Sequence, residues 1–385
     1  MSKHGRYERR KPKKKAGKVI LIILCCLVLL LTGIGIAGIL AYKDMIGKIE
    51  YVTVESQDYT MSDEMIAMMG IEEPTEEKET QPSEDPSDKQ NEQPQETTEP
   101  PVVETKPKDP DILNVLVVGQ SYREGEESRL ADTIILVTIN KDSKVITLTS
   151  FLRDTYVDLP DYMGHSCGWN RINTNYALGY LWGGTGGAME MTNLCIKNNF
   201  GIDVDYNVEV DFEAFRKIID LLGGVRIELT QAEADYINDL GYEWLQVVEP
   251  GENRLFGYEA LEYARMRKAE GDSDSDIKRT ERQRKLLTAL FGKLASKGIT
   301  GIRDIAYEIL PMIKTNMPEG EITQCLLEIL PLMVDMTIES GTCPVKDYYW
   351  SEYKELPDGG AYVLCFESPQ QKSFMMPITE GYYVP

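Results

Sequence analysis

The apolar positions of this chain fall into three kinds of stretch. The first is a charge-free run over residues 19–42, VILIILCCLVLLLTGIGIAGILAY, which is 24 residues long. That length crosses a bilayer with some tilt. It exceeds a signal-peptide core and no small-residue cleavage site follows it, so the pattern predicts an uncleaved transmembrane helix. The second stretch has almost no apolar positions. Around EEPTEEKETQPSEDPSDKQNEQPQETTEPP the chain is Glu, Thr, Pro, Gln and Ser. Such a composition buries too little apolar surface to offset chain entropy, which predicts a disordered, self-repelling tether over residues 43–110.

The third kind of stretch alternates short aliphatic runs with helical periodicity, and it begins at residue 111. ILNVLVVG (112–119) is a short aliphatic run closed by glycine, the mark of a buried strand. TIILVTIN (133–140) and VITLTSF (145–151) follow, and KDSK between them predicts a hairpin. Helical spacing covers 173–182 and 188–199. Strand YNVEV (206–210), helix FEAFRKIIDLL (212–222), a Gly223–Gly224 stop and strand VRIEL (225–229) come next. Further helices are predicted over 231–240, 258–267 and 276–296. Strands mixed with helices, some joined by hairpins, predict an α/β domain over 111–300 with three layers, α/β/α, and a central mixed sheet. Beyond 301 two helical stretches and a strand, AYVLCF (361–366), read as a C-terminal extension over 301–385.

Charge orients the chain. Lys3, Arg6, Arg9, Arg10, Lys11, Lys13, Lys14, Lys15 and Lys18 precede the apolar run. The positive-inside rule therefore places residues 1–18 in the cytoplasm and everything after Lys43 outside the cell membrane. The total is strongly acidic, −22, and much of that sits in the tether. Histidine chemistry is nearly excluded: only His4 and His165 occur, and His4 is on the cytoplasmic side, which argues against a Ser-His-Asp hydrolase. Seven cysteines show no zinc spacing. Cys343 with Cys365 is the disulfide pairing expected first, and Cys167 with Cys195 the next. WGGTGGAM (182–189) lacks the lysine ending of a phosphate loop and reads as a turn before a helix.

Against the acidic balance, Arg265, Arg267, Lys268, Lys278, Arg279, Arg282, Arg284 and Lys285 crowd into YARMRKAEGDSDSDIKRTERQRK. Positive charge so concentrated suggests a local anionic ligand, not nucleic acid. Asp276 can cap a helix starting there, with Arg279, Arg282 and Gln283 on the same face. Guanidiniums beside a helix start suit phosphate oxygens. A solvated helix face laced with ion pairs would give the same pattern. Arg129 with Asp132 precedes one hairpin strand, and Arg153 with Asp154 follows the other. Antiparallel pairing puts Asp132 and Arg153 at the same end of the sheet.

The blocks ADTIILVTIN, TLTSFLRDTYVDLP, NRINTNYALG, VEVDFEAFRKIIDLLGGV, LFGYEALEYARMR and SDIKRTERQR resemble, in order, those of the LytR-CpsA-Psr family, over about half of the chain. The resemblance implies transfer of a glycopolymer from a polyprenyl diphosphate carrier to a peptidoglycan hydroxyl, forming a phosphodiester, with Mg²⁺. It implies that Arg153, Arg265, Arg267, Arg279 and Gln283 hold the diphosphate. Asp132 would bind the metal, Asp276 matches the acidic residue of the last block, and the lipid would lie in an apolar tunnel between sheet and helices. Asp132, Arg153, Asp276 and Arg279 are thus the expected catalytic set. Where the family carries a second metal-binding Asp, this chain has Ser121. Two other readings share the cluster: a non-catalytic polyprenyl-phosphate binder in envelope regulation, and a polyprenyl diphosphate hydrolase. The topology has its own test. Protease added to intact protoplasts should digest everything after Lys43, and a protected C-terminal domain would overturn the orientation.

Overall fold

In this computed structural model the chain divides into two compact units, Met1–Ile49 and Glu50–Pro385. Residues 43–44, 47–54, 109–120, 130–267, 275–297, 308–329, 332, 335–345, 347–357 and 359–366 are described. The apolar run at 19–42, most of the tether, Arg129 and Ser121 lie outside them. No helix among the described residues is long and apolar enough to cross a membrane.

The second unit mixes strands and helices. Its strands are β1 (Glu50–Tyr51), β2 (Ile112–Gln120), β3 (Ala131–Asn140), β4 (Val145–Phe151), β5 (Tyr156–Leu159), β6 (Gly168–Arg171), β7 (Tyr206–Val210), β8 (Val225–Leu229), β9 (Gly251–Leu255), β10 (Lys314–Thr315), β11 (Thr337–Cys343), β12 (Tyr349–Lys354) and β13 (Ala361–Phe366). Its helices are α1 (Ile172–Phe200), α2 (Phe212–Leu221), α3 (Gln231–Asp239), α4 (Gly257–Arg265), α5 (Ser275–Ala295) and α6 (Glu319–Ile329). A mixed sheet runs β1-β10-β7-β2-β3-β4-β11. β3 pairs antiparallel with β2 and β4, whereas β7 is parallel to β2 and β11 parallel to β4. Four strands therefore end, and β3 begins, along one edge of the sheet.

Helices cover both faces. On one, Leu116, Val118, Ile134 and Leu136 pack against Ile172, Tyr176, Met191 and Ile196 of α1. On the other, Ile135, Val137, Ile146 and Leu148 meet Leu287 and Phe291 of α5 and Ile329 of α6. A third cluster joins α2, α3, α4 and α5 to the antiparallel pair β8–β9. Local signals explain the helix starts. Asp211 accepts from the Ala214 amide at 2.7 Å to cap α2, and Thr230 with Glu233 forms a capping box on α3.

The WGGTGGAM turn lies inside α1, where Gly183 and Gly184 leave helical geometry and Gly184 takes φ 61°. The two halves of α1 then cross closely. A Cβ on Gly179 would stand 2.6 Å from the Gly187 carbonyl oxygen.

Two boundaries differ from the sequence reading. Glu50–Tyr51 is a sheet strand, not tether, because it pairs parallel with β10. The segment after 301 is not an appendage, since β10 pairs with β7 and β11 extends the sheet beside β4. TIESGTC has no apolar alternation and was not recognisable as a strand; its pairing to β4 at seven register positions makes it one. Cys167, Cys195, Cys325, Cys343 and Cys365 are all free thiols. The expected Cys343–Cys365 bridge is not formed: Cys343 is buried in the main core and Cys365 in the small cluster of the β12–β13 hairpin. Cys167 and Cys195 are likewise unbridged.

The crossing within α1 predicts an inversion of helix propensity. Gly→Ala in a helix interior ordinarily stabilises by roughly 0.5–1 kcal/mol. Gly292 of α5 has open space around it and should follow that rule. Gly179→Ala should instead lower the denaturant midpoint, by about 1–3 kcal/mol through overpacking.

Candidate functional site

The sheet edge where β2, β4 and β7 end gathers the charged residues. Asp132 is the second residue of β3, and Arg153 lies two residues beyond β4. From the helical layer, α4 ends at Arg265 with Arg267 just after it, and α5 begins at Ser275 with Asp276 and Arg279 in its first turns. Arg153 is the hub. Its Nη1 donates to Asp132 Oδ1 at 3.3 Å, and its Nε lies 3.5 Å from Asp154 Oδ2 and 3.3 Å from Asp276 Oδ1. Asp276 Oδ1 also meets Arg279 Nη2 at 2.8 Å, and Arg267 Nη2 stands 3.9 Å from Asp132 Oδ1.

Three carboxylates around one guanidinium shape the electrostatics. Burial works against the Arg153 charge, yet Asp276, Asp154 and Asp132 together hold its pKa above the ordinary value. Arg279 goes the other way: burial, then repulsion from Arg153 and Arg267, pulls its pKa down against the attraction of Asp276 and Asp132. Asp154 is pushed up, chiefly by burial with Asp276 adding, because Arg153 is shared among three acids. Arg279 has a side chain only 3% exposed. Its Nε and the Gln283 Oε1 are buried with no hydrogen-bond partner within the protein, and its Nη2 and the Arg153 Nε reach their carboxylates as ion pairs without hydrogen-bond geometry. Polar groups left so cost stability unless a partner completes them, an acceptor for the nitrogens and a donor for the oxygen.

Beside the cluster opens a cavity of about 660 Å³ between the sheet and helices α2, α4 and α5. That falls within the range of about 300–1,000 Å³ usual for ligand pockets. Its walls are apolar, with Val117 and Ile135 from the sheet, Phe215 and Ile218 from α2, and Leu286 and Leu290 from α5. At the polar end it is lined by Asp132, Arg265, Arg267, Arg279 and Gln283. The cavity fits β2, a largely aliphatic strand whose residues alternate between buried and half-buried. Val117 and Gly119 of its half-buried face line the cavity.

Every expected diphosphate residue thus lies at or beside this end, though not in one role. Arg153, Arg267 and Arg279 converge with Asp132 and Asp276. Arg265 pairs with Glu262 at 3.5 Å and lies 5.0 Å from the Phe212 ring centroid, on the cavity wall. Gln283 Nε2 donates to the Ala264 carbonyl at 3.4 Å. Two arginines of the same run leave the site. Arg282 points to the opposite side, where it meets Glu233 at 2.8 Å and the Met266 carbonyl at 3.0 Å. Arg284 donates to Ser150 Oγ at 2.9 Å beneath the sheet edge. Sequence spacing placed Arg282 on the Asp276 face; buried Glu233 on α3 decides otherwise, and only the fold brings it near. Arg171 is a further residue that sequence reasoning missed, and its charge acts on Asp154. Its only signal was its place in the NRINTN block.

For a metal, the described residues hold no group of three His, Cys, Asp or Glu side chains that could bind one. Asp132 is flanked by two guanidiniums, which compete with a cation for its oxygens. The chain's described donors do not by themselves make a Mg²⁺ cage.

The LytR_cpsA_psr family model matches residues 64–362. Over 208 residues the chain is 33% identical to the polyisoprenyl-teichoic acid–peptidoglycan teichoic acid transferase TagU of Bacillus licheniformis, covering 54% of this chain and 60% of that protein. It is 30% identical over 240 residues to the regulatory protein MsrR of Staphylococcus aureus, covering 62% and 66%. The chain therefore spans about three fifths of the length of the TagU relative it matches. Among solved structures it resembles TagT bound to LI-WTA, with TM-score 0.55, 24% identity and coverage of 72% and 94%. It also resembles TagT (YwtF) with bound octaprenyl pyrophosphate lipid, with TM-score 0.51, 22% identity and coverage of 72% and 93%. At these identities the structural likeness establishes the fold.

The buried Arg282–Glu233 pair separates architecture from ligand binding. Arg282→Ala leaves a buried carboxylate unpaired and should cost about 3–5 kcal/mol of stability. Arg279→Ala should change the unfolding midpoint far less, and denaturant titration of the two variants side by side distinguishes them.

Proposed function

The chain belongs to the LytR-CpsA-Psr family, and from that premise we propose that it transfers a glycopolymer from a polyprenyl diphosphate carrier to a peptidoglycan hydroxyl outside the cell membrane. One observation carries the reading: buried Arg279, with guanidinium nitrogens lacking a hydrogen bond, stands beside Arg265 and Arg267 at one end of an apolar cavity. An anionic head on a long apolar chain matches both parts. The relatives named teichoic acid transferases point to the same substrate class.

In this scheme the prenyl chain fills the cavity and Arg153, Arg267, Arg279 and Arg265 surround the diphosphate. The acceptor oxygen bonds to the phosphorus that carries the glycopolymer. The bond from that phosphorus to the bridging oxygen breaks, releasing polyprenyl phosphate. Charge spreading over the phosphoryl oxygens is what the guanidiniums stabilise. Asp276, engaged with both Arg153 and Arg279, positions them. Asp154, whose proton affinity burial raises, takes the hydroxyl proton. Mg²⁺ would add charge neutralisation at the same oxygens. With Asp132 as its carboxylate and Ser121 in place of a second, it would depend on the diphosphate for its remaining ligands.

The tests are direct. Arg153→Ala and Arg279→Ala should each lose about 1.5–3 kcal/mol of prenyl diphosphate affinity, as for charge-assisted hydrogen bonds. Asp154→Asn should keep that affinity and lose transfer. Calorimetry should show Mg²⁺ binding with a soluble prenyl diphosphate present and little without it; by linkage the metal tightens the lipid equally. Unchanged lipid affinity in both arginine variants would reduce the cluster to structural ion pairs. Binding without any transfer would favour the non-catalytic binder, and free polymer phosphate the hydrolase.

A further inference from the structure

The charged corner continues sideways into a lane that diphosphate binding does not use. The Leu364 amide donates to the Asp154 carbonyl at 2.9 Å, and Thr155 bridges to Leu364. The β12–β13 hairpin is thereby fastened beside Arg153 and Asp154. On the β5–β6 hairpin Tyr156 pairs opposite Arg171 and Asp158 opposite Trp169. Opposed and alternate residues share a face in an antiparallel pair, so these four side chains line one surface leading away from Asp154. On β12 Trp350, Glu352 and Lys354 likewise share a face by alternation.

The two surfaces join. Lys354 Nζ lies 5.9 Å from the Tyr156 ring centroid, and the Tyr156 and Trp169 rings are 5.2 Å apart. Glu352 accepts from Lys354 Nζ at 2.5 Å and from Trp350 Nε1 at 3.1 Å. The lane thus runs Trp169, Tyr156, Lys354, Glu352, Trp350, with a carboxylate and an ammonium between aromatic rings. Its two indoles are 52% and 47% exposed.

We infer that this lane binds a glycan strand, and that the strand is the peptidoglycan acceptor. The inference rests on the proposed transfer reaction. A pyranose presents an apolar C–H face, which lies on the electron-rich face of an indole or phenol ring. Its equatorial hydroxyls then reach side-chain donors and acceptors at the ring edge, as Glu352, Lys354 and Asp158 provide. Position chooses acceptor over donor. The donor's lipid occupies the cavity under β2, β3 and β7 and reaches Arg153 from the Asp132 side. The lane leaves from the Asp154 side, past the ends of β4 and β11. An in-line displacement needs the attacking oxygen and the leaving phosphate on opposite sides of phosphorus, and the two routes reach Arg153 past different carboxylates, Asp132 and Asp154.

The experiment uses the full-length protein in detergent and a soluble tetrasaccharide of alternating N-acetylglucosamine and N-acetylmuramic acid. Titration calorimetry should show Trp169→Ala and Trp350→Ala each weakening tetrasaccharide binding, by about five- to tenfold for the loss of one ring contact. Trp350→Phe should recover part of the loss. Tyr362→Ala, on the other face of the β12–β13 hairpin, should leave binding unchanged, and prenyl diphosphate affinity should be intact throughout. In transfer assays the tryptophan variants should raise the acceptor KM and leave kcat. Equal tetrasaccharide affinity in wild type and both alanine variants overturns the inference. So does a loss confined to self-association in sedimentation or to binding of anionic vesicles, since either assigns the rings to another occupant. Tetrasaccharide binding lost in the variants of a protein that binds no prenyl diphosphate would uphold the lane and remove the transfer reading instead.

Discussion

The arrangement depends on keeping several guanidiniums close together, with Arg279 out of water. Arg153, Arg267 and Arg279 repel one another, and burial weakens the solvent that would screen them. Asp132, Asp154 and Asp276 offset this by sharing Arg153, with Asp276 reaching Arg279 as well. The acids do not cancel the site, since buried guanidinium nitrogens remain without hydrogen bonds. A preformed but incompletely satisfied cluster of this kind costs stability in the free protein, and an anion recovers part of that cost.

The sheet supplies both halves of the design from one edge. Its α1 face is packed solid around Leu116, Val118, Ile134 and Leu136. Its other face is filled by α5 and α6 near β4 but left open near β2 and β7, where α2 and α4 stand off. Side chains large enough to close that gap would add packing energy and remove the ligand space. The half-buried alternation of β2 records that choice. The rigid α1 side and the buried Arg282–Glu233 and Arg284–Ser150 contacts hold α5 in place. The arginines of α5 that face the cavity are thereby fixed at their spacing.

Residues late in the chain matter more than their composition suggests. β11 closes the sheet beside β4 and places the β12–β13 hairpin against Asp154. Edge strands with polar sequence are made by pairing, not by propensity. The hairpin extends the charged corner into a surface of aromatic and polar side chains.

What the sequence determined by itself was whatever depends on local periodicity and on ordered blocks. The strands at 112–119, 133–140 and 145–151 were legible as short aliphatic runs, the hairpin between the last two from its KDSK turn, and the helices near 231–240 and 276–296 from their helical spacing. The hairpin alone put Asp132 and Arg153 at one sheet end, and the structure brings them to 3.3 Å. Tertiary structure decided the rest, because the deciding partner was remote in sequence. Glu233 and Met266 turned Arg282 from the ligand face into the core. Parallel pairing with β4 made a strand of TIESGTC. The cavity is an absence of packing between sheet and helices, and no pattern of residues along a chain encodes where two layers fail to touch.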